Sequence, residues 1–264
     1  MKQLVSISFI GSGNVAWHLA PAFDNLGFVV KEVYSRNAKH AGALTEKLYQ
    51  AEVKATLDFS TSPSKVFFIA TTDEAIADVA REIILPDEAL LVHTSGSQPL
   101  EILNFAATPH LGVFYPLQTF SKSKKIDWRE VPVFVESSDR HTEEILVALA
   151  KGISGKVKKI GSSERKALHV AAVFASNFTN HMLLHAQQIM KQNGLDYEWL
   201  KPLIIETIQK SLSLGPAASQ TGPARRGDLQ ILDSHLDFLR DYGEAAQLYR
   251  IISQDILNHY HQDD

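Results

Sequence analysis

A glycine-containing segment near the start of the chain has the composition of an anion-binding turn. Glycine occupies its first and third positions and a small residue its sixth, in the run Gly11-Ser12-Gly13-Asn14-Val15-Ala16. Glycine permits a tight turn and lets a charged group approach the backbone closely. If a helix begins near Asn14, its free N–H groups and its dipole would hold negative charge there. The segment therefore predicts a site for the diphosphate of a dinucleotide, contacted by Gly11, Ser12, Gly13, Asn14 and Val15.

The residues before this turn supply the context that such a site requires. Leu4–Ile10 is mostly Val, Ile, Leu and Phe with two small serines, which is typical of a strand buried on both faces. A strand, a glycine turn and a helix in this order form the dinucleotide-binding fingerprint G-x-G-x-x-A. The motif alone is weak evidence, and a glycine turn in another α/β domain is the alternative. Its position directly after a strand favours the dinucleotide.

The end of the second predicted strand indicates which dinucleotide is bound. NAD-binding versions of this motif carry an acidic residue there, which bonds the ribose 2′-hydroxyl. This chain has Tyr34-Ser35-Arg36-Asn37 instead, and Glu32 lies too early in the strand for that contact. Arg36 could pair with a 2′-phosphate, with Ser35 and Asn37 as hydrogen-bond donors. The sequence therefore predicts NADP, unless Arg36 is a surface residue of a protein that binds either cofactor loosely.

Two later strands end in small polar residues that would face the same cofactor. They are followed by Ala70-Thr71-Thr72-Asp73 and by His93-Thr94-Ser95-Gly96-Ser97. Ligands of such sheets bind outside the carboxyl ends of the strands, so Ala70, Thr71 and Thr72 are predicted cofactor contacts. Asp73 is expected to cap the helix that follows. Ser95 and Gly96, just past a strand, are better site candidates than His93 within it.

A long helical segment, Ala167–Met190, contains no Asp, Glu, Lys or Arg. At about 100° per residue it separates into two sides. The apolar side holds Leu168, Ala171, Ala175, Phe178, Met182, Ala186 and Ile189, and the uncharged polar side holds His169, Ser176, Asn177, Asn180, His181 and Gln187. Because uncharged polar groups are less costly to bury than charges, the polar side is expected to face a cleft or another subunit. The alternative is a buried helix whose His and Asn groups satisfy one another.

Two residues on that polar side are candidates for chemistry. Asn177 and His181 lie one turn apart and could reach the same ligand. A histidine can transfer a proton near neutral pH. No acidic residue joins the histidines of this helix, so no metal site is predicted.

The order of the predicted elements indicates two domains. Eight strands alternate with helices in the first part of the chain: Leu4–Ile10, Phe28–Tyr34, Val53–Ala55, Lys65–Ala70, Ala89–Thr94, His110–Tyr115, Val131–Val135 and Lys156–Ile160. Such alternation predicts a doubly wound, mostly parallel α/β sheet over residues 1–160. Residues 161–264 are predicted to form an all-α domain, with helices Ser163–Gln192, Asp196–Leu214, Asp228–Tyr242 and Glu244–His261.

Composition excludes several classes of protein. The 264 residues carry a formal charge of −4 and include no cysteine, so nucleic acid is not an expected partner and disulfides and cysteine metal sites are excluded. The chain has neither a signal-peptide pattern nor an apolar run long enough to span a membrane, so a cytoplasmic location without membrane association is expected. The basic loop Ser121–Lys125 is interpreted as a solvated tip rather than a site.

The N-terminal turn and Tyr34-Ser35-Arg36-Asn37 together are similar to pyrroline-5-carboxylate reductase and related NADP oxidoreductases. Other segments resemble a branch of Rossmann-like NADP oxidoreductases with an uncharacterised C-terminal helical domain; they are His93–Ser97, Phe114–Phe120, Ala175–Phe178 and Thr221–Asp228. The resemblance implies a helical domain like that of 6-phosphogluconate dehydrogenase, which is commonly used for dimerisation. It implies a homodimer but no particular substrate.

The loop Gly222–Asp228 can also be interpreted from its residues. Asp228 would cap the following helix. Arg225 or Arg226 would offer an anion-binding fork beside the cleft, and an interface or surface role for each is the alternative.

The leading hypothesis is an NADPH-dependent reductase of a small C=O or C=N compound bound between the two domains. Ser95, Tyr115, Asn177 and His181 are predicted to lie near C4 of the nicotinamide; Tyr115 could donate a proton or simply pack. An anionic substrate would suit Arg226. The alternative is a non-catalytic NADP-binding sensor or regulatory protein. A reductase that uses a deazaflavin cofactor would share the fold.

Overall fold

Eight strands form a sheet in the computed structural model, which describes residues 5–261. They are β1 (Ser6–Ile10), β2 (Val29–Tyr34), β3 (Glu52–Lys54), β4 (Val66–Ile69), β5 (Leu90–His93), β6 (Leu111–Pro116), β7 (Val133–Ser137) and β8 (Val157–Lys159). Their order is β3-β2-β1-β4-β5-β6-β7-β8. Strands β1 to β6 are parallel, β7 is antiparallel to β6, and β8 is parallel to β7. The predicted fold class is confirmed. Leu4, the first residue of the first predicted strand, lies outside the described residues.

Helices cover both faces of this sheet. They are α1 (Asn14–Asp24), α2 (Ala38–Thr45), α3 (Ile76–Glu82) and α4 (Arg140–Ile153), with 3₁₀ turns at Asp73–Ala75 and Leu100–Leu103. Side chains alternate across β4: Val66 and Phe68 belong to one buried cluster, and Phe67 and Ile69 to the other. A strand whose side chains are buried on both faces is the expected centre of a doubly wound sheet.

The predicted cap at Asp73 is wrong. The N-cap of this helical segment is Thr72, which makes no side-chain cap bond, and Asp73 is the first residue of the 3₁₀ turn. The Asp73 carboxylate instead accepts a hydrogen bond from the Ser97 hydroxyl. The Asp73 carboxylate thus binds Ser97, in the loop after β5, and does not cap the helical segment as the sequence suggested.

The chain forms two compact units, the first ending at Asn177 and the second beginning at Phe178. After β8 the described residues form only helical elements: α5 (Ser162–Ala172), a π-helical turn (Val173–Phe178), α6 (Thr179–Gln192), α7 (Lys201–Leu214), α8 (Pro216–Ser219), α9 (Pro223–Arg226), α10 (Leu229–Phe238) and α11 (Glu244–Tyr260), with 3₁₀ turns at Tyr197–Leu200 and Leu239–Tyr242. The division into domains 1–160 and 161–264 stays a prediction. Within residues 5–261, no helix combines the length and apolar character that crossing a membrane requires.

A buried arginine fixes helix α5 against the sheet. Arg165 is 1% exposed and forms an ion pair with Glu136 at the end of β7. Its guanidinium also donates to the carbonyl oxygen of Gln98, in the loop that follows β5. Ser162 N lies 3.0 Å from the Glu136 carboxylate, so the start of α5 is bound to two strand ends at once. One helical turn after Arg165, the same helix carries His169.

Replacing one member of this ion pair should destabilise the first unit strongly. We expect Arg165→Met to lower the free energy of unfolding by about 3–5 kcal/mol, because Glu136 keeps its charge in a largely buried position. The double variant Arg165→Met/Glu136→Gln removes that charge and keeps an acceptor for Ser162, so it should be more stable than Arg165→Met alone. Urea unfolding of the three proteins tests this, and a double variant no more stable than the single one would contradict it.

Candidate functional site

The carboxyl ends of four neighbouring strands lie at one edge of the sheet. β1, β4, β5 and β6 are parallel neighbours in that order. Their ends therefore bring the turn at Gly11, the segment from Ala70, the loop from Thr94 and the ring of Tyr115 to the same edge. This is where ligands of open α/β sheets bind.

A cavity of about 630 Å³ lies over the glycine turn. Ten of the eleven predicted cofactor contacts line it, namely Gly11, Ser12, Gly13, Asn14, Val15, Ser35, Arg36, Ala70, Thr71 and Thr72. Helix α1 begins at Asn14, so its first N–H groups are available to an anion at this point. The cavity thus combines the predicted contact residues with backbone donors for an anion.

The two glycines of the turn have different reasons for lacking a side chain. Gly11 has a φ of +111°, and a Cβ there would lie 2.4 Å from the Ala70 carbonyl oxygen. Gly13 has a φ of −71°, and its Cβ would lie 3.6 Å from the same oxygen, which is an ordinary contact. The fold therefore requires glycine at position 11, while at position 13 the protein itself leaves room for a methyl group.

The segment after β2 is arranged as NADP binding requires. Ser35 and Arg36 line the cavity, and no carboxylate follows the strand. Glu32 is engaged elsewhere, since its carboxylate lies 2.9 Å from Ser8 Oγ and 3.5 Å from Lys54 Nζ. Asn37 is not among the lining residues; its side-chain oxygen accepts a hydrogen bond from Lys39 N at 3.0 Å and caps α2.

Further charged residues that line this cavity were not predicted. Lys122 adds a positive charge, Asp78 and Glu82 add negative charges, and His40 also lines the cavity. Asp78 is paired with Arg81 at 2.7 Å, so its charge is largely compensated. The basic loop that the sequence suggested to be a solvated tip thus places one lysine at the cavity.

Ser95 shapes the loop after β5 through hydrogen bonds of its side chain and its backbone. It is buried, and its hydroxyl accepts hydrogen bonds from Ser97 N and Gln98 N, each at 3.1 Å. Its own N–H donates to His93 Nδ1 at 3.1 Å. Burial lowers the pKa of His93 to about 3, and the positive charge of Arg165 acts in the same direction. His93 is therefore neutral at physiological pH and serves as an acceptor for the loop.

Gly96, the next residue of that loop, allows two side chains to approach the backbone closely. A Cβ on Gly96 would lie 2.6 Å from His169 Nδ1 and 2.7 Å from Tyr115 Cζ. Tyr115 Oη itself lies 3.0 Å from His169 Nδ1. Burial raises the pKa of the Tyr115 hydroxyl, opposed in part by the charge of Arg165. The hydroxyl is thus protonated at neutral pH and can donate a hydrogen bond.

A second cavity, of about 530 Å³, begins at this Tyr–His pair. Its lining contains no Asp, Glu, Lys or Arg and consists of Tyr115, Leu117, Gln118, Thr119, Leu168, His169, Ala171, Ala172, Val173, Ala175, Ser176 and Asn177. Residues from both the predicted apolar side and the predicted polar side of the uncharged helix line this cavity. The two sides therefore do not face in different directions here. The π-helical turn Val173–Phe178 changes the phase of the helix at this point, and such turns are frequent at functional sites.

The structure brings together some of the predicted catalytic residues and not others. Tyr115 and Asn177 line the second cavity. His181 belongs to the second compact unit, where its Nε2 lies 3.1 Å from His185 Nε2. Its catalytic role stays a prediction. His169 was seen in the sequence only as one polar residue of an uncharged helix, and nothing there distinguished it from its neighbours.

The arginine loop of the second unit is only partly as predicted. Asp228 caps α10 as expected, accepting from Ile231 N at 3.3 Å. The Arg225 guanidinium lies 4.1 Å from the ring centre of Tyr260, and Arg226 is exposed. Anion binding by this loop stays a prediction.

Comparisons with known proteins match the chain in two parts and over its whole length. Residues 6–95 match a family described as NADP oxidoreductase, coenzyme F420-dependent, and residues 131–256 match a domain of unknown function, DUF2520. BF3122 from Bacteroides fragilis, an inferred NADP oxidoreductase, is 38% identical, with 96% of this chain and 98% of that chain covered and a TM-score of 0.88. No curated protein matches the chain significantly.

Two more distant structures share the fold. Protein TM1727 from Thermotoga maritima is 25% identical, over 97% of this chain and 98% of that chain, with a TM-score of 0.71. A reductive aminase from Aspergillus terreus, in complex with NADPH and ethyl levulinate, is 15% identical over 99% of this chain and 95% of that chain, with a TM-score of 0.73.

The two glycines of the turn should respond differently to an added methyl group. We expect Gly11→Ala to lower the free energy of unfolding by at least about 2 kcal/mol, because of its positive φ and its contact with Ala70. Gly13→Ala should change stability by less than about 1 kcal/mol and yet weaken NADPH binding at least tenfold. Thermal unfolding and calorimetric titration measure both effects. Wild-type affinity in Gly13→Ala would show that no ligand approaches this backbone.

Proposed function

Since the chain belongs to the NADP oxidoreductase family, we propose that it is an NADPH-dependent reductase of a small C=O or C=N compound. The family is established by the relative that is 38% identical over nearly the whole chain. Membership confirms the predicted family and the predicted cofactor, NADP. The observation that carries the reductase proposal is the Tyr115–His169 pair, held at the same sheet edge as the glycine turn.

The residues of the first cavity would hold the cofactor. The amide groups of the turn and of the first turn of α1 would bind the diphosphate, and Arg36 with Ser35 would bind the 2′-phosphate. Thr71 and Thr72 offer hydroxyls to the sugar beyond it. When bound, NADPH supplies the hydride of the reaction.

Tyr115 would supply the proton that accompanies the hydride. Its hydroxyl is protonated at neutral pH and lies at the wall of the second cavity, where the oxygen or nitrogen of a reducible bond can reach it. His169 Nδ1, 3.0 Å away, would donate a hydrogen bond to the phenolate that forms, and solvent would then return the proton to Tyr115. Ser95 acts in this proposal by holding the loop that brings Gly96 beneath both rings.

The lining of the second cavity favours an uncharged substrate. Gln118, Thr119, Ser176 and Asn177 can hydrogen-bond a polar group, while small apolar residues of α5 form the rest of the wall. The anionic substrate suggested by the sequence would need Arg226, which is not among these residues. Carbonyl compounds and imines both meet the requirement, and the reductive aminase fold relative is a reason to assay both.

The proposal is tested by turnover. Purified protein is incubated with NADPH and a panel of uncharged ketones, aldehydes and cyclic imines, and NADPH oxidation is followed by the loss of its ultraviolet absorbance. Oxidation that depends on one of these compounds supports the reductase. Tight NADPH binding without turnover on any of them would favour the sensor, and turnover only after addition of a deazaflavin would identify a second cofactor.

We expect Tyr115→Phe to lower the turnover number by at least about 100-fold, since it removes the proton donor and keeps the ring. The dissociation constant of NADPH should stay within twofold of the wild-type value, because Tyr115 does not line the first cavity. Tyr49→Phe, which makes the same change at a tyrosine that is 91% exposed and lines neither cavity, is the control and should retain full activity. Equal activity of Tyr115→Phe and the wild type would contradict the assignment.

We also infer that the second unit forms a homodimer with a second copy of the chain. In α6, α7 and α11, all of which are described in full, no residue is buried. Large apolar side chains of α7 are exposed instead, among them Leu203, Ile205, Ile208 and Leu212. Helices gain most of their stability from packing an apolar face. These apolar surfaces therefore favour packing against the same surface of a second copy of the chain.

A charged residue on this surface should dissociate the dimer. Leu212 is 83% exposed, and we expect Leu212→Glu to shift the protein from dimer to monomer, as measured by sedimentation velocity. Tyr49 is a large apolar residue of the first unit that is 91% exposed, so Tyr49→Glu is a matched control that should leave the dimer intact. A wild-type protein that sediments as a monomer at micromolar concentration would refute the inference.

A further inference from the structure

The basic loop Ser121–Lys125 is attached to the helix that follows the glycine turn. His18 Nε2 on α1 lies 2.9 Å from the carbonyl oxygen of Ser121. The ring of Phe120, just before the loop, lies 5.7 Å from that of His18 and 5.7 Å from that of Trp128. These contacts hold the loop beside α1.

Within this loop, Lys122 is directed to the first cavity. It lines the cavity together with the glycine turn, and its ammonium lies 4.5 Å from the ring centre of Trp17. Trp17 is the fourth residue of α1, so the ammonium is kept close to the end of the helix that carries the free N–H groups. A cation over an indole ring is attracted by the negative face of the π system, which orients the lysine side chain.

The charge of Lys122 is not neutralised by the protein. Among residues 5–261 no carboxylate forms an ion pair with it, and its one charge-related contact is the indole ring. Lys47 makes a similar contact with the same ring, also at 4.5 Å. Lys47 does not line the cavity. The two lysines therefore share the contact with Trp17 and differ in whether they can reach a ligand in the cavity.

We infer that Lys122 binds the diphosphate of the cofactor. The inference rests on the proposed function, because it requires the dinucleotide in the first cavity. An uncompensated ammonium beside a helix N-terminus adds a full positive charge to the partial charge of the helix dipole, and both attract the same anion. Arg36 serves the 2′-phosphate at the end of β2, whereas Trp17 keeps Lys122 at the end of α1. The loop after β6 thus adds a contact to a cavity that is also lined by the segments after β1, β2 and β4.

The test compares Lys122→Met with Lys47→Met and the wild type in equilibrium binding. Methionine keeps the aliphatic part of the side chain and removes the charge. Calorimetric titration gives the dissociation constant of NADPH, and displacement of NADPH gives that of adenosine 2′-monophosphate, which lacks the diphosphate. We expect Lys122→Met to bind NADPH about tenfold more weakly and adenosine 2′-monophosphate as the wild type does. Its NADPH affinity should also fall less steeply with salt, since one screened charge is gone.

Lys47→Met should bind both compounds within twofold of the wild type. Unchanged NADPH affinity in Lys122→Met would overturn the inference, as would an equal loss for adenosine 2′-monophosphate, which would move the contact to the 2′-phosphate. An equal loss in Lys47→Met would also overturn it, because the effect would then come from the packing of Trp17. A wild-type protein that fails to bind NADPH would instead refute the proposed function, so the two failures are distinguishable.

Discussion

The contact between the backbone of Gly11 and the carbonyl group of Ala70 is the constraint on which the functional edge of the sheet depends. With no Cβ at position 11, the turn after β1 can pass directly over the end of β4. Gly11 N also donates to the carbonyl oxygen of Tyr34 at the end of β2. The turn is thereby fixed against both neighbouring strands, and α1 must begin at the centre of the edge with its free N–H groups directed outward.

A second glycine contact of the same kind organises the other half of the edge. Gly96 lets Tyr115 and His169 meet over the loop that follows β5. The buried pair of Arg165 and Glu136 brings α5 to that loop, because it ties the helix to β7 and to Gln98. One end of the edge therefore presents positive charge and amide groups, and the other presents a protonated tyrosine hydroxyl at the wall of a cavity whose lining holds no charged residue. Phosphate binding and proton transfer need these different environments.

Much of this arrangement follows from local sequence patterns. Short runs that alternate with helical patterns predicted all eight strands. For central strands such as β4 the signal is an unbroken apolar run, which is typical of a strand buried on both faces. The glycine turn and Arg36 were recognised because their chemistry is contained in a few consecutive residues. The positions of His169, Arg165 and Lys122 could not be predicted, since each depends on a partner more than 25 residues away, such as Glu136 for Arg165. The π-helical turn Val173–Phe178 was not predicted either, because a periodicity of about 100° per residue assumes a continuous α-helix.

The proposed function depends on a phosphorylated dinucleotide that lies along this edge with its reactive end directed to Tyr115. The most direct measurement is a crystal structure of the protein with NADPH bound. We expect the diphosphate to lie against the amide groups of Ser12 to Asn14, and the nicotinamide ring to face the pair of Tyr115 and His169. An empty glycine turn in a crystal that binds NADPH elsewhere, or a nicotinamide turned away from Tyr115, would contradict it.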